Sequence, residues 1–264
     1  MLLIRNLCKT FNKNTVNEKV VFDRFSLDVE EGDFITIIGS NGAGKSTLLN
    51  MIAGSIQADE GSILLKNNEI VYEPEFKRTR MIGRVFQDPT MGTSPSMNII
   101  ENLSMALNKG KKFNLSMGVS KKDIPFFKEL LSKLSLGLEN QLNTKVGLLS
   151  GGQRQALSLL MATLSKPHIL LLDEHTAALD PKTSERIINL TENIISERKM
   201  TTLMVTHNLN QAIKLGNRLI MMHKGKAVLD IRGKEKKNLT IEKLLACFEK
   251  TQSEDLLSDR LLFS

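Results

Sequence analysis

With 264 residues, 41% hydrophobic and 25% charged, the chain has the makeup of a soluble globular protein of one large domain with room for a subdomain. Its two cysteines, Cys8 and Cys247, stand far apart, which excludes a disulfide framework or a clustered cysteine metal site and fits a reducing cytosol. The formal net charge of +7 comes from dispersed lysines, in small clusters at Lys109, Lys111 and Lys112, at Lys121 and Lys122, and at Lys234, Lys236 and Lys237; with no Trp and no interleaved aromatic residues, a solvated basic surface is expected rather than direct nucleic-acid binding.

The start, MLLIRNLCKTF, is broken by Arg5 and reads as neither a signal peptide nor a membrane span. No window approaches the roughly 18 uninterrupted apolar residues of a spanning helix, so work at a membrane is expected to go through a partner. The first thirty residues alternate as strands, with VVFDRFSLDVEEG closing on a turn at Glu31-Gly32. DFITIIG, residues 33–39, is β-branched and continuously apolar, the pattern of a buried strand. STLLNMIAG predicts a helix ending near Gly54, and GSILLKNNEIVY predicts strands around an Asn-Asn turn.

From about Asp88 to Lys166 the alternation fades. Amphipathic patterns such as MNIIENLSMAL and PFFKELLSKLSL predict a helical subdomain inserted into an α/β core. HILLLDE and TTLMVTH return as buried strands, each followed by a helix, and NRLIMMHKGKAVLDI predicts a hairpin around Lys224-Gly225. The expected domain spans 1–235 with the helical insert at about 88–166. A short charged and then helical tail, 236–264, is expected to be solvated. Strands alternating with helices imply a mostly parallel sheet covered on both faces, with an antiparallel β region at the N-terminus. Ligands of such sheets bind beyond the C-terminal strand ends.

GSNGAGKST (Gly39, Ser40, Asn41, Gly42, Ala43, Gly44, Lys45, Ser46 and Thr47) matches G-x-x-x-x-G-K-[ST] between a predicted strand and a predicted helix. Its glycines let backbone N–H groups approach phosphates without a Cβ in the way, Lys45 would reach the β- and γ-phosphates, and Ser46 would ligate Mg²⁺. ILLLDE is an apolar strand ending in two carboxylates. Neighbouring side chains on a strand face opposite ways, so Asp173 and Glu174 can divide the work: Asp173 toward Mg²⁺, Glu174 toward the attacking water as general base. LLSGGQRQA places Ser150, Gly151, Gly152 and Gln153 at a helix start, a second anion site by its free N–H groups and dipole.

GSNGAGKST, VFQDP, LLSGGQ, ILLLDE, ALD and VTH, in that order, resemble the nucleotide-binding subunit of an ABC transporter, a P-loop NTPase fold. The resemblance implies ATP and Mg²⁺ as ligands. It further implies that Phe11 stacks on adenine, that Gln87 touches Mg²⁺ and the water and links the core to the insert, that Asp180 lies in a loop crossing between subunits, and that His207 contacts the γ-phosphate. Two copies would sandwich ATP between the P-loop of one and Ser150, Gly151 and Gly152 of the other. An integral-membrane permease would dock near Gln87, with the chain peripheral to the cytoplasmic face of the cell membrane. One departure stands out: the family's DEPT is DEHT here. His175 replaces a proline that fixes φ, so a slightly freer loop is expected.

DEHTAALDPKT and FQDPTMGTSPSMNIIENLSMA are similar to the ATPases of bacterial uptake systems that use a lipoprotein binding protein, some of them linked to tryptophan and tyrosine. An exporter or lipid-extracting ATPase of the same fold is the alternative. A soluble member acting on nucleic acid or the ribosome fits less well, because only 105 residues separate Lys45 from Ser150 and the chain holds one cassette.

Overall fold

In the computed structural model, which describes residues 1–111 and 118–249, the strand alternation of the N-terminal region becomes two long strands, β1 (Leu2–Phe11) and β2 (Lys19–Val29). They pair antiparallel, and β1 also pairs with β4 (Glu60–Leu65), which turns into the two-residue β5 (Asn68–Glu69); the order is β2-β1-β4-β5. The turn between β4 and β5 falls on Lys66-Asn67, one residue before the expected Asn-Asn. Leu65 pairs with Asn68, and both turn residues take the left-handed conformation that a tight two-residue hairpin requires.

The second sheet has six strands in the order β10-β9-β3-β8-β7-β6. They are β3 (Phe34–Gly39), β6 (Ile82–Val85), β7 (Ile169–Asp173), β8 (Thr202–Val205), β9 (Arg218–His223) and β10 (Lys226–Arg232). All its pairs are parallel except β9–β10, the expected hairpin, which turns on Lys224 (φ 43°) and Gly225 (φ 74°). The α/β class, with a mostly parallel sheet and an antiparallel N-terminal region, is thus observed.

The central strands β3, β7 and β8 are mostly apolar on both faces because both are covered. On one side Ile35, Ile37, Leu171, Leu203 and Val205 meet helix α1 (Lys45–Ala53) and the antiparallel sheet. On the other, Phe34, Leu170, Leu172 and Met204 meet α5 (Gly151–Leu164) and α6 (Pro181–Arg198). Helix α2 (Glu75–Arg78) is a single turn whose Arg78 is buried, donating to the carbonyls of Met51, Ile52, Glu73 and Val71.

The expected helical region contains α3 (Ile99–Leu107) and α4 (Ile124–Ser132), which pack with one side of α5 in a separate apolar cluster around Leu103, Phe127, Leu131 and Leu157. Helix α3 begins on a capping box, Asn98 with Glu101. Helix α5 serves two cores at once: Leu157 and Leu160 face this cluster, while Leu159 and Ala162 face the sheet.

Helix α7 (Leu209–Lys214) packs on β3, and α8 (Gly233–Lys237) packs on β9 and β10. The described part of the tail is exposed along most of its length but buries one stripe. Residues 241–249 are helical, and Leu239 and Leu244 pack with Ile38, Leu219, Met221 and Ile231 in an apolar cluster. Burying that stripe offsets the ordering of the segment. Lys112 and the tail beyond residue 249 lie outside the described residues.

Candidate nucleotide site

The loop 39–47 leaves the C-terminal end of β3 and enters α1 through Gly44 at the N-cap (φ 100°). A Cβ at Gly39 would lie 2.1 Å from the Met222 carbonyl oxygen, so the loop can leave the sheet here only as glycine. Lys45, 6% exposed, folds back to donate to the carbonyls of Gly39 (2.8 Å) and Ser40 (3.0 Å). Burial lowers the pKa of its ammonium, and the nearby Glu174 and Asp173 carboxylates oppose that shift.

Asp173 ends β7 beside this loop, and Ser46 Oγ donates to its Oδ1 at 3.3 Å. Its other oxygen faces Arg84 of β6, at 3.6 Å from Nη2. Glu174 takes the left-handed conformation (φ 45°), its backbone N–H still bonded to Val205 O, so its side chain leaves the strand direction and meets His207 Nε2. A non-glycine residue held there stores strain, and such strain concentrates at functional sites.

One cavity of about 340 Å³ is lined by Phe11, Asn41, Gly42, Gly44, Lys45, Ser46, Thr47, Glu174 and His207, so β1, the loop, β7 and the end of β8 converge on it. Sequence reasoning missed Asn12 and Asn17 of the β1–β2 connection and Lys19 and Val21 of β2, which line the same cavity; no motif marks them, since only the pairing of β1 with β2 brings them there.

Other predicted residues stand elsewhere. Ser150 caps α5, with its Oγ accepting from Gln153 N–H (3.3 Å) and its own N–H donating to Gln153 Oε1 (3.1 Å). A Cβ at Gly152 would lie 2.3 Å from Thr183 Cγ2, so the α5 start packs on the α6 start. Asp180 caps α6 by accepting from Thr183 N–H, which with the Thr183 side chain lowers its pKa. None of Ser150, Gly151, Gly152, Gln153 and Asp180 lines the P-loop cavity.

Gln87 is exposed beyond β6, and the buried Gln155 of α5 donates to the carbonyl of Phe86 just before it. Sequence reasoning missed Gln155 as well; a polar residue on the buried face of a helix is its signal.

His175 corrects the expectation of a freer loop. Its ring is 1% exposed, and its Nε2 lies 3.1 Å from Thr191 Oγ1. The Thr191 hydroxyl donates to Ile187 O, so it accepts from the ring N–H. This bond pins the loop after Glu174 to α6. Burial lowers the His175 pKa to about 4, which keeps the ring neutral.

A glycine-rich loop that shares a cavity with Glu174 and His207 and meets Asp173 through Ser46, at the C-terminal ends of a parallel sheet, defines a P-loop ATPase. The sequence pattern of the ABC transporter family matches residues 22–177, and the chain belongs to that family. It is similar to a tyrosine transport ATP-binding protein of Clostridioides difficile, 53% identical over 94% of this chain and 99% of that one. A thiamine import ATP-binding protein of Photobacterium profundum is 32% identical over 84% of this chain and 87% of its own length. Among solved structures, the ATP-binding cassette MJ0796, a dimer in a post-hydrolysis state bound to ADP and Pi, superposes with a TM-score of 0.74 at 30% identity, over 88% of this chain and 98% of that one. The chain binds and hydrolyses ATP as a member of this family.

Proposed function

We propose that the chain is the ATP-hydrolysing subunit of a bacterial importer of an aromatic amino acid such as tyrosine. Near full-length similarity to a tyrosine transport ATP-binding protein supports the solute class, and likeness to import ATPases supports the direction. Two copies close head to tail around ATP. The observation that carries this is the separation of the two anion sites: the Ser150–Gln153 turn lies outside the cavity that the P-loop forms, so a single chain holds only half of each site.

In this reading Phe11 stacks on the base and Lys45 with the loop N–H groups holds the phosphates. Glu174 takes a proton from the attacking water, and His207, now against Glu174, turns to the γ-phosphate. The residues present fit Mg²⁺: Ser46 and Asp173 offer hard oxygens 3.3 Å apart, and this ion prefers one or two such protein ligands completed by phosphates and water. Ser46, Asp173 and Gln87 would hold it, and bound there it would neutralise charge on the phosphates.

The chain sits peripherally on the cytoplasmic face of the cell membrane, a placement supported by its likeness to import ATP-binding proteins; none of its described helices is long and apolar enough to cross a membrane. A permease engages the groove of about 320 Å³ lined by Phe86, Met91, Gly92, Met105 and Met161, beside Gln87, and a lipoprotein binding protein delivers the solute outside. Rigid closure of the dimer then changes access in the permease. We assign the domain as 1–235, with the insert at about 88–166 and the tail from 236. The test is co-purification with a candidate permease and uptake of labelled tyrosine by the reconstituted complex. Failure of uptake with tyrosine and tryptophan, alongside intact ATPase activity, overturns the solute class.

A further inference from the structure

Strand β6 carries a half-buried cation beside the nucleotide site. Arg84 pairs with Leu171 across the parallel β6–β7 ladder, so its side chain emerges on the same face as Asp173, two residues further along β7. Its Nη2 donates to Asn50 Oδ1 of α1 at 2.5 Å and stands 3.6 Å from Asp173 Oδ2; its Nη1 donates to Ser55 Oγ at 3.1 Å. The guanidinium lies 4.4 Å from the centre of the Phe86 ring, immediately before Gln87. The pair is secluded, with the Arg84 and Asp173 side chains 12% and 15% exposed.

These contacts leave Asp173 divided. One oxygen faces Arg84, and the other accepts from Ser46. Removing the guanidinium leaves the Lys45 ammonium, next to Ser46 in the same loop, to compete for the carboxylate. A carboxylate drawn to Lys45 turns away from Ser46 and occupies the ammonium needed for phosphates. Arg84 also spans two places at once, because it lines the groove beside Phe86 and Met91 while touching the nucleotide-site carboxylate.

We propose that Arg84 is a positioning residue, which holds the Asp173 carboxylate toward Ser46 and ties it to Phe86 and α1. The inference rests on the reading that Ser46 and Asp173 hold the divalent ion. The guanidinium reaches Ser55, Asn50 and Asp173 with separate edges of one planar group, a spread that the point charge of Lys does not reproduce.

The test titrates Mg²⁺ into the full chain with a fluorescent, non-hydrolysable ATP analogue and reads the affinity for the analogue with and without the ion. Wild type is expected to bind the analogue at least tenfold more tightly with Mg²⁺, and Asp173→Asn to lose that gain. Arg84→Met, which keeps the aliphatic stem, is expected to lose most of the gain while its Mg²⁺-free affinity stays within about twofold of wild type. Arg84→Lys, which restores the charge, is expected to recover part of it and serves if the Met variant folds poorly. No gain in wild type, or a full gain in Asp173→Asn, sinks the underlying reading of the ion site. Loss in Asp173→Asn with wild-type Mg²⁺ dependence in Arg84→Met, or an unstable Met variant with full dependence in Arg84→Lys, overturns the role of Arg84.

Discussion

His175 and Thr191 join the loop after Glu174 to α6 through one buried hydrogen bond of 3.1 Å. The ring nitrogen on the other side, Nδ1, is buried without a hydrogen-bond partner, so the pocket accepts a neutral imidazole and not a charged one. The folded pKa, about 4, lies below the ordinary 6.5, so below 6.5 the unfolded chain binds the proton that the folded chain refuses. Stability therefore falls as pH drops from 6.5 to about 4, by about 3 kcal/mol from this group. Denaturant melts at pH 7 and pH 5 check it: His175→Pro should lose less stability than wild type over that interval. Equal losses would remove His175 as the acid-sensitive point.

Glu174 contacts His207 from a left-handed backbone, which aims it away from the strand. Glu174→Gln keeps the shape and removes the basicity. It should bind ATP as wild type does, while hydrolysis falls by about 10²–10⁴-fold, the usual worth of a general base. With ATP present, light scattering should show a dimer. Normal turnover would rule out Glu174 as the base.

Ser150 lies outside the P-loop cavity, so a bulky cation there should obstruct only the partner's site. Ser150→Arg is expected to leave nucleotide binding by one chain unchanged and to abolish hydrolysis. Mixing it with an inactive Lys45→Ala chain should restore part of the activity, because a mixed dimer keeps one intact site. A loss of binding by the single Ser150→Arg chain would refute the shared-site arrangement.

Leu244 is fully buried in the cluster that joins the tail helix to β3, β9 and β10. Leu244→Ala leaves a cavity there and should cost about 2–5 kcal/mol in denaturant unfolding. A change near zero would mean that the tail contributes nothing to the stability of the sheet it covers.

The P-loop, the paired strand-end carboxylates and the strand–helix alternation were legible because each is written in consecutive residues. A glycine-rich loop between an apolar strand and a helix needs no distant partner to be recognised. The helix start at Ser150 was legible as well, although its cap with Gln153 and that of Asp180 with Thr183 came from the structure. The loop at DEHT was misjudged for the opposite reason: His175 is fixed by Thr191, sixteen residues away on another element, and a proline's stiffness is replaced by a tertiary bond.

The sequence by itself determined the fold class and the chemistry of the nucleotide loop, because short-range periodicity and steric need are properties of neighbouring residues. Tertiary structure alone decided that Arg84 faces Asp173, that Asn12, Asn17 and Lys19 close on the P-loop, and that Leu244 buries the tail against the sheet. Those contacts depend on strand register and layer packing, which bring together residues separated by tens to hundreds of positions. It also separated the two anion sites of one chain. Both are helix N-termini in sequence, but the packing of α5 on α3, α4 and α6 sets the second apart from the cavity of the first.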